Sequence, residues 1–437
     1  MRCLAVLQQA GGSKRFGIVR RAWEEGHAGE MQTFIDSDLL DRLRVGPLAS
    51  YLDAYLKSIE LEGFLPSSVP MQMYAIARFS NWLRTGQVDL HRVDEATVER
   101  FLQRDLHVIH SAESAPLRRF LAMLREIGVT AAKPPEPRNC RQRFIDEYQR
   151  YLLQERGLAE TSLLNYVPFV EQFLSNRFGQ SDMNLPELTA TDVTRFLQER
   201  ARQLSPGRAK LLVTALRSFL RYLRHQGEIS TDLAGCVPPV AVWSLSTVPK
   251  FLPAGTVQRV LDRCERGTPD GKRNYAVLLL LARLGLRACE IVALSLDDID
   301  WDNGRITIRC KGGRWAQLPL PADVGEAMAT YLRSGRPRCV GRRVFLRHRA
   351  PIRGFAHSIT VSTIVRRALI RAGIDSVRKG AHLFRHTLAT DLLRKGASLD
   401  EIGELLRHRS PNTTALYAKV DLAALRTLAL PWPGGAQ

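Results

Sequence analysis

Two carboxy-terminal stretches, HLFRHT at residues 382–387 and LLRHRSPNTTALYAKVD at residues 405–421, decide how this sequence is interpreted. In the first stretch, His382 and Arg385 are three residues apart, which places both side chains on one face of a predicted helix. An exposed pair on a helix surface would explain that spacing equally well. The first stretch therefore gains meaning only together with other residues.

The second stretch contains His408 and, nine residues later, Tyr417. Two earlier basic residues have side chains that could act with them. Arg287, in GLRACEI, follows a predicted helix, where it could also be an ordinary partner of the helix dipole. Lys311, in CKGGR, is the only lysine between residues 272 and 379. A lysine can give up a proton, whereas a guanidinium effectively cannot, so Lys311 is a candidate for proton transfer; an ordinary turn lysine is the alternative.

Together, these residues fit the transfer of a phosphodiester. Two arginines can bind the non-bridging oxygens and neutralise the charge that develops at phosphorus. A phenol has a pKa near 10 and needs a base or a positive field to act as a nucleophile. The leaving oxygen needs a proton, which a lysine or histidine can supply. The predicted catalytic set is Arg287, Lys311, His382, Arg385, His408 and Tyr417.

The composition favours a nucleic-acid partner. Sixty-three Lys and Arg against 44 Asp and Glu give a net charge of +19, although a protein that is merely basic is the alternative. The seven cysteines are scattered without a CxxC pair, which argues against disulfides and a zinc module and favours a reducing cytosol. No carboxylate cluster has metal-binding spacing, so we expect neither metal nor cofactor. We also expect no secretion signal and no membrane span, since the longest apolar run, 276–286, contains Arg283.

Two proline-rich breaks, at 131–137 and 237–253, divide the chain into helical and mixed parts. After the second break, RITIR at 305–309 and WAQLPL at 315–320 predict a β-hairpin among further helices. The predicted fold class is mostly α, with all-α amino-terminal domains and a small antiparallel sheet in the carboxy-terminal α+β domain. The predicted divisions are an extension at 1–45, helical domains at 46–130 and 141–235, a mixed domain at 250–425 and a tail at 426–437.

The two helical domains contain an internal repeat. VERFLQR from Val98 matches VTRFLQE from Val193, and LRRFLAMLREIG from Leu117 matches LRSFLRYLRHQG from Leu216. Leu and Arg recur in any basic amphipathic helix, so chance similarity is the alternative. We favour a duplicated helical domain.

From about residue 250 to Tyr417, the sequence resembles the catalytic domain of tyrosine recombinases, the phage integrase family. Arg287 and Lys311 resemble its first arginine and its hairpin lysine, and Tyr417 its nucleophile. The helical stretch from about 141 to 230 is similar to the core-binding domain of that family. Two departures are Cys310 and Arg407, where the family usually has glycine.

The resemblance implies that Tyr417 forms a 3′-phosphotyrosyl link, held by Arg287, Arg385 and His408. It implies that Lys311 is the acid for the leaving oxygen and that His382 assists proton transfer at the tyrosine. The expected partners are double-stranded DNA, a homotetramer during synapsis, and related recombinases or DNA-bending proteins. We expect a nucleoid-associated, cytoplasmic enzyme that serves a mobile element. A type IB topoisomerase and a non-cutting DNA-binding protein of the same fold are the alternatives.

Overall fold

The computed structural model describes seven stretches of the chain, and the predicted extension at 1–45 and tail at 426–437 lie outside them. These stretches are 46–104, 110–131, 140–179, 183–240, 249–310, 313–376 and 379–420. They form two compact units, of which one comprises Met1–Pro134 and Pro249–Gln437 and the other Pro135–Val248. No helix among the described residues is long and apolar enough to cross a membrane.

In the first helical module, residues 46–131, the described residues form four α-helices around an apolar core. They are α1 (Leu52–Leu61), α2 (Val69–Thr85), α3 (Glu95–Gln103) and α4 (His110–Glu126). Asp94 caps α3, since its Oδ1 accepts a hydrogen bond from the Thr97 amide at 2.7 Å. The apolar faces of these helices bury Tyr55, Phe79, Phe101 and Phe120 in the core.

The second helical module, residues 140–240, has the same order of elements. Its helices are α5 (Cys140–Arg150), α6 (Glu160–Phe178), α7 (Ala190–Ala201) and α8 (Pro206–His225). A capping box of Thr189 and Asp192 starts α7, where the first module has the Asp94 cap. Tyr148, Phe173 and Phe219 are fully buried in its core.

The carboxy-terminal module, residues 249–420, combines helices with one small sheet. Its helices are α9 (Thr256–Asp262), α10 (Pro269–Leu284), α11 (Ala288–Ala293), α12 (Ala322–Ser334), α13 (Ile359–Arg371), α14 (His382–Arg394), α15 (Leu399–Leu405) and α16 (Pro411–Thr414). The strands β1 (Ile299–Asp300), β2 (Arg305–Arg309) and β3 (Trp315–Pro319) form an antiparallel sheet in the order β1-β2-β3. The predicted fold class is therefore confirmed.

The core of this module is built around α10. Nearly every residue of α10 from Ala276 to Leu284 is buried, so the apolar run that begins at Ala276 lies in the core. Gly285 ends α10 with a φ of +56°, a conformation that favours glycine. A Cβ at Gly285 would lie 2.7 Å from Leu406 Cδ2, so the chain approaches α15 closely here. This close approach brings the residues after α10 next to those after α15.

Candidate active site

The carboxy-terminal module gathers five of the six predicted site residues around α14. His382 begins this helix, and Arg385 lies one turn further along it. Arg287 precedes α11, while His408 and Tyr417 follow α15. Residues that are far apart in sequence therefore surround one helix. Lys311 lies outside the described residues, in the connection between β2 and β3.

Tyr417 lies in a 3₁₀ helix, Ala415–Val420, and its side chain is buried. Its ring packs in a small apolar cluster with Ala389, Ile402 and Leu406. Burial raises the pKa of Tyr417 to about 12, although the nearby arginines oppose this effect. The phenol is therefore protonated at neutral pH and needs a proton acceptor to react.

His386 supplies a direct partner for that phenol. Its Nδ1 lies 2.8 Å from the Tyr417 hydroxyl, and the two ring centroids are 5.7 Å apart. Burial, with smaller contributions from His382 and Arg385, lowers the pKa of His386 to about 4. A neutral imidazole with its proton on Nε2 can accept the Tyr417 hydroxyl proton through Nδ1.

His386 was not among the predicted residues, and His382, to which the resemblance gave proton transfer at the tyrosine, does not make this contact. Its ring centroid lies 6.2 Å from that of His386. Burial, followed by Arg385 and Arg287, lowers the pKa of His382. The sequence did hold one signal, because His386 is four residues after His382 and shares its helical face.

His408, another predicted residue, stacks its ring on that of Tyr417, with 6.3 Å between ring centroids and an interplanar angle of 7°. Its Nδ1 lies 2.7 Å from Thr414 Oγ1. Burial, followed by Arg385 and Arg287, lowers the pKa of His408 to about 4. When the Thr414 hydroxyl donates to Nδ1, the neutral ring keeps its proton on Nε2, which can then donate to an anion.

Arg385 is the most deeply buried arginine of the cluster, with 3% of the residue exposed. Its guanidinium donates to the Gly285 carbonyl at 2.5 Å and to the Leu406 carbonyl. Burial, with repulsion from Arg287 and Arg407, lowers the pKa of Arg385 to about 10. It is still charged at neutral pH, so the site contains a buried positive charge suited to an anion.

Arg287 is held by Glu290, which is fully buried. Its guanidinium contacts Glu290 Oε1 at 2.8 Å, and its amide donates to Glu290 Oε2 at 2.8 Å. The Arg287 side chain keeps 23% of its surface exposed. It is therefore fixed in direction by the carboxylate yet accessible to a ligand.

A third arginine, Arg407, shares the same carboxylate. Its guanidinium lies 3.0 Å from Glu290 Oε2, and only 7% of its side chain is exposed. Glu290 and Arg407 were not predicted as part of the site, because their contact joins positions 117 residues apart. Within the described ranges, no group of three His, Cys, Asp or Glu side chains is close enough to hold a metal ion.

The arrangement joins a buried phenol, its imidazole partner and an arginine cluster. Such a site can bind a phosphate group with guanidiniums, and it places an oxygen nucleophile beside a proton acceptor. These are the parts needed for attack of a phenol on a phosphodiester.

Comparisons with known proteins place these residues within matched segments. Residues 250–423 match the model of the phage integrase family, and residues 145–227 match that of the phage integrase amino-terminal SAM-like domain. A protein of Sinorhizobium fredii named as integrase/recombinase y4rA is 48% identical over 93% of this chain and 100% of its own length. Tyrosine recombinase XerC of Oceanobacillus iheyensis is 30% identical over 65% of this chain and 93% of its own length.

A solved structure supports the same fold. XerH recombinase, in a post-cleavage complex with a palindromic difH substrate, matches with a TM-score of 0.50 and 18% identity. The match covers 82% of this chain and 95% of XerH. This likeness concerns the fold, whereas the sequence matches also span the residues of the candidate site.

Proposed function

The chain belongs to the tyrosine recombinase, or phage integrase, family of site-specific DNA recombinases, and we propose that Tyr417 is the nucleophile with which it cleaves and rejoins DNA. The observation that carries this assignment is the 2.8 Å contact between the Tyr417 hydroxyl and His386 Nδ1. It is supported by the position of both groups beside Arg385 and Arg287, which favour negative charge on the phenol.

The arginines bind the scissile phosphate in this mechanism. Arg287 and Arg385 donate to the non-bridging oxygens, and His408 donates through Nε2. These contacts strengthen as negative charge accumulates on the oxygens in the transition state. Removal of one such donor typically lowers the rate by about 10²–10³-fold.

Cleavage requires two proton transfers. The Tyr417 oxygen attacks phosphorus as its proton passes to His386 Nδ1, and the bond from phosphorus to the 5′ oxygen breaks. Lys311 gives a proton to that oxygen, which leaves as a 5′-hydroxyl. The negative charge of the bound phosphodiester raises the pKa of the neighbouring imidazole, so His386 accepts the proton more readily than in the DNA-free enzyme.

Rejoining reverses these steps with a different strand. A 5′-hydroxyl of the partner DNA attacks the 3′-phosphotyrosyl link, Lys311 takes its proton, and Tyr417 recovers its own from His386. The phosphotyrosyl bond conserves the energy of the phosphodiester, so the exchange needs no ATP.

Double-stranded DNA is the substrate in this proposal, and the second helical module and the carboxy-terminal module both bind it. Four copies act on two DNA sites during synapsis, with accessory DNA-bending proteins or related recombinases as further partners. The enzyme works in the cytoplasm on the nucleoid and serves a mobile element. The predicted domain divisions at 46–130, 141–235 and 250–425 are kept as part of this proposal.

A plasmid assay tests the function. A supercoiled plasmid carrying two copies of the DNA segment that borders the gene is incubated with the full chain. We expect deletion or inversion between the sites with the unsubstituted protein and none with Tyr417→Phe. Relaxation of the plasmid without exchange between the sites would contradict the recombinase proposal.

The role of His386 needs a separate test. His386→Ala is expected to cleave a nicked suicide duplex at least about tenfold more slowly, since general bases contribute about 10²–10⁴-fold. Added imidazole should restore part of the rate because it can occupy the space of the missing ring. His382→Ala is the matched control, and equal rescue of both variants would contradict the assignment of His386 as the proton acceptor.

A further inference from the structure

Arg407 has a backbone conformation that arginine rarely adopts. Its φ is +55°, and among the described residues only Gln87, with a φ of +50°, is another non-glycine residue in this region. The left-handed conformation costs an L-residue about 1–2 kcal/mol, a cost that glycine avoids. An arginine at this position therefore needs a compensating interaction.

The side chain of Arg407 makes that interaction inside the site. Besides its 3.0 Å contact with Glu290, its guanidinium donates to the Leu405 carbonyl at 3.0 Å. Its own carbonyl accepts from the Arg287 guanidinium at 3.4 Å. Arg407 thus contacts Arg287, the predicted phosphate-binding arginine, through its backbone carbonyl. Its side chain contacts Glu290, the carboxylate that holds Arg287.

The charges of this group do not cancel. Glu290 contributes one negative charge and lies between Arg287, on Oε1, and Arg407, on Oε2. Without Arg407, the carboxylate and Arg287 would form a neutral pair, and Arg287 would attract an anion less strongly. With Arg407 present, one positive charge is left over, and Arg287 is the more exposed of the two guanidiniums.

We propose that Arg407 is a positioning residue that neutralises Glu290 and so leaves the charge of Arg287 available to the scissile phosphate. This inference rests on the proposed function. It concerns how the charge of the phosphate is bound, and Tyr417 is still the nucleophile. Arg407 acts through Glu290, because its guanidinium is engaged by Glu290 Oε2 and by the Leu405 carbonyl.

The role in charge can be separated from a role in folding by changing the substrate. The full chain is incubated with a nicked suicide duplex built from the DNA segment that borders the gene, with either a natural phosphate or an uncharged methylphosphonate at the scissile position. Arg407→Gly is the main variant, because glycine favours this backbone conformation and relieves its strain. Arg407→Lys keeps the positive charge.

On the natural phosphate, we expect Arg407→Gly to form the covalent adduct about tenfold more slowly or worse, and Arg407→Lys to recover most of that loss. On the methylphosphonate, the rates of Arg407→Gly and the unsubstituted protein should agree within about threefold, because its transition state carries one negative charge fewer and depends less on the charge of Arg287. Gln87→Gly is the matched backbone control. It relieves the same conformation at a position in the first helical module and should leave adduct formation unchanged.

Two results would overturn the inference. One is an unchanged rate for Arg407→Gly on the natural phosphate, and the other is an equal loss on both substrates, which would indicate a structural role. A failure of the proposed function is distinguishable from both. In that case, the unsubstituted protein itself would form no adduct on the natural phosphate.

Discussion

The two helical modules contain the same aromatic contacts. In the first, the rings of Tyr55 and Phe120 meet at 5.1 Å and 78°, and in the second Tyr148 and Phe219 meet at 5.1 Å and 76°. A second pair repeats as well, since Phe79 and Phe101 meet at 5.2 Å and 63°, and Phe173 and Phe196 at 5.3 Å and 64°. Together with the shared order of helices, these contacts support the proposal that the modules are copies.

The two modules share their aromatic contacts and the order of their helices, but they differ in the basic residues on their surfaces. Helix α8 of the second module carries five lysine and arginine residues, of which Arg208, Lys210 and Arg221 are exposed and form no ion pair among the described residues. Helix α4 of the first module carries three arginines, and each lies within 4 Å of a carboxylate. These pairs are Arg118–Glu99, Arg119–Glu62 and Arg125–Glu95.

This difference distinguishes the residues that stabilise a module from the residues that we expect to bind DNA. Buried aromatic rings determine the packing of the helices, whereas exposed, unpaired cations determine the affinity for phosphates. At the repeat position of Arg221, the first module has Ala122. We therefore expect the second module to contribute to DNA binding and the first module to contribute little.

The largest expected effect comes from removing a core ring in either module. Phe219→Ala and Phe120→Ala each delete a buried ring, and such changes typically cost about 3–5 kcal/mol. Phe219 also contacts Phe144 and Tyr222, so its loss should cost more. Hydrogen exchange measured on peptides of each module reports which one is destabilised. Only Phe219→Ala should weaken DNA binding, and an equal loss in Phe120→Ala would contradict the separation of roles.

A smaller effect is expected from the exposed charges. The triple variant Arg208→Ala, Lys210→Ala, Arg221→Ala should weaken binding to a duplex of the DNA that borders the gene by about 10²-fold near 0.15 M salt, and reduce the salt slope by about 3. The matched variant Arg118→Ala, Arg119→Ala, Arg125→Ala should change that slope by less than about 1. Fluorescence anisotropy across a salt series measures both. Equal salt slopes for the two triple variants would contradict the proposed difference in DNA binding between the modules.

The smallest expected effect comes from two carboxylates at equivalent helix starts, Asp94 at α3 and Asp192 at α7. Hydrogen bonds from Thr97 lower the pKa of Asp94. The pKa of Asp192 is also lowered. Burial acts to raise it, but hydrogen bonds from Thr189 and the contact with Arg177 outweigh burial. Each carboxylate therefore stabilises the folded state above the unfolded pKa near 4, and this contribution is lost as the pH falls through the lower folded pKa.

Asp94→Ala and Asp192→Ala should each cost about 1 kcal/mol at pH 7, and the cost should decline as the pH falls below the unfolded pKa and through the lower folded pKa. Exchange of the amides in α3 and α7 measures the two effects separately. A cost that persists unchanged at low pH would show that the charged carboxylate is not its source.

Much of the fold followed from local patterns. The strands at Arg305–Arg309 and Trp315–Pro319 were predicted because β-prone runs on either side of a glycine-containing turn are a local signal. Five predicted site residues meet around α14. The partner of Tyr417 was missed, because which histidine on a helical face reaches a distant tyrosine depends on packing. The Glu290–Arg407 contact was missed for the same reason, since it joins helix α11 to the turn after α15.

The central claim is that Tyr417 becomes covalently bound to DNA, and mapping the adduct tests it most directly. The full chain is trapped on the nicked suicide duplex and digested with nuclease and protease, and the modified peptide is sequenced by mass spectrometry. We predict a nucleotide attached to Tyr417 and no adduct with Tyr417→Phe. An adduct on another residue, or one that persists in Tyr417→Phe, would contradict the account.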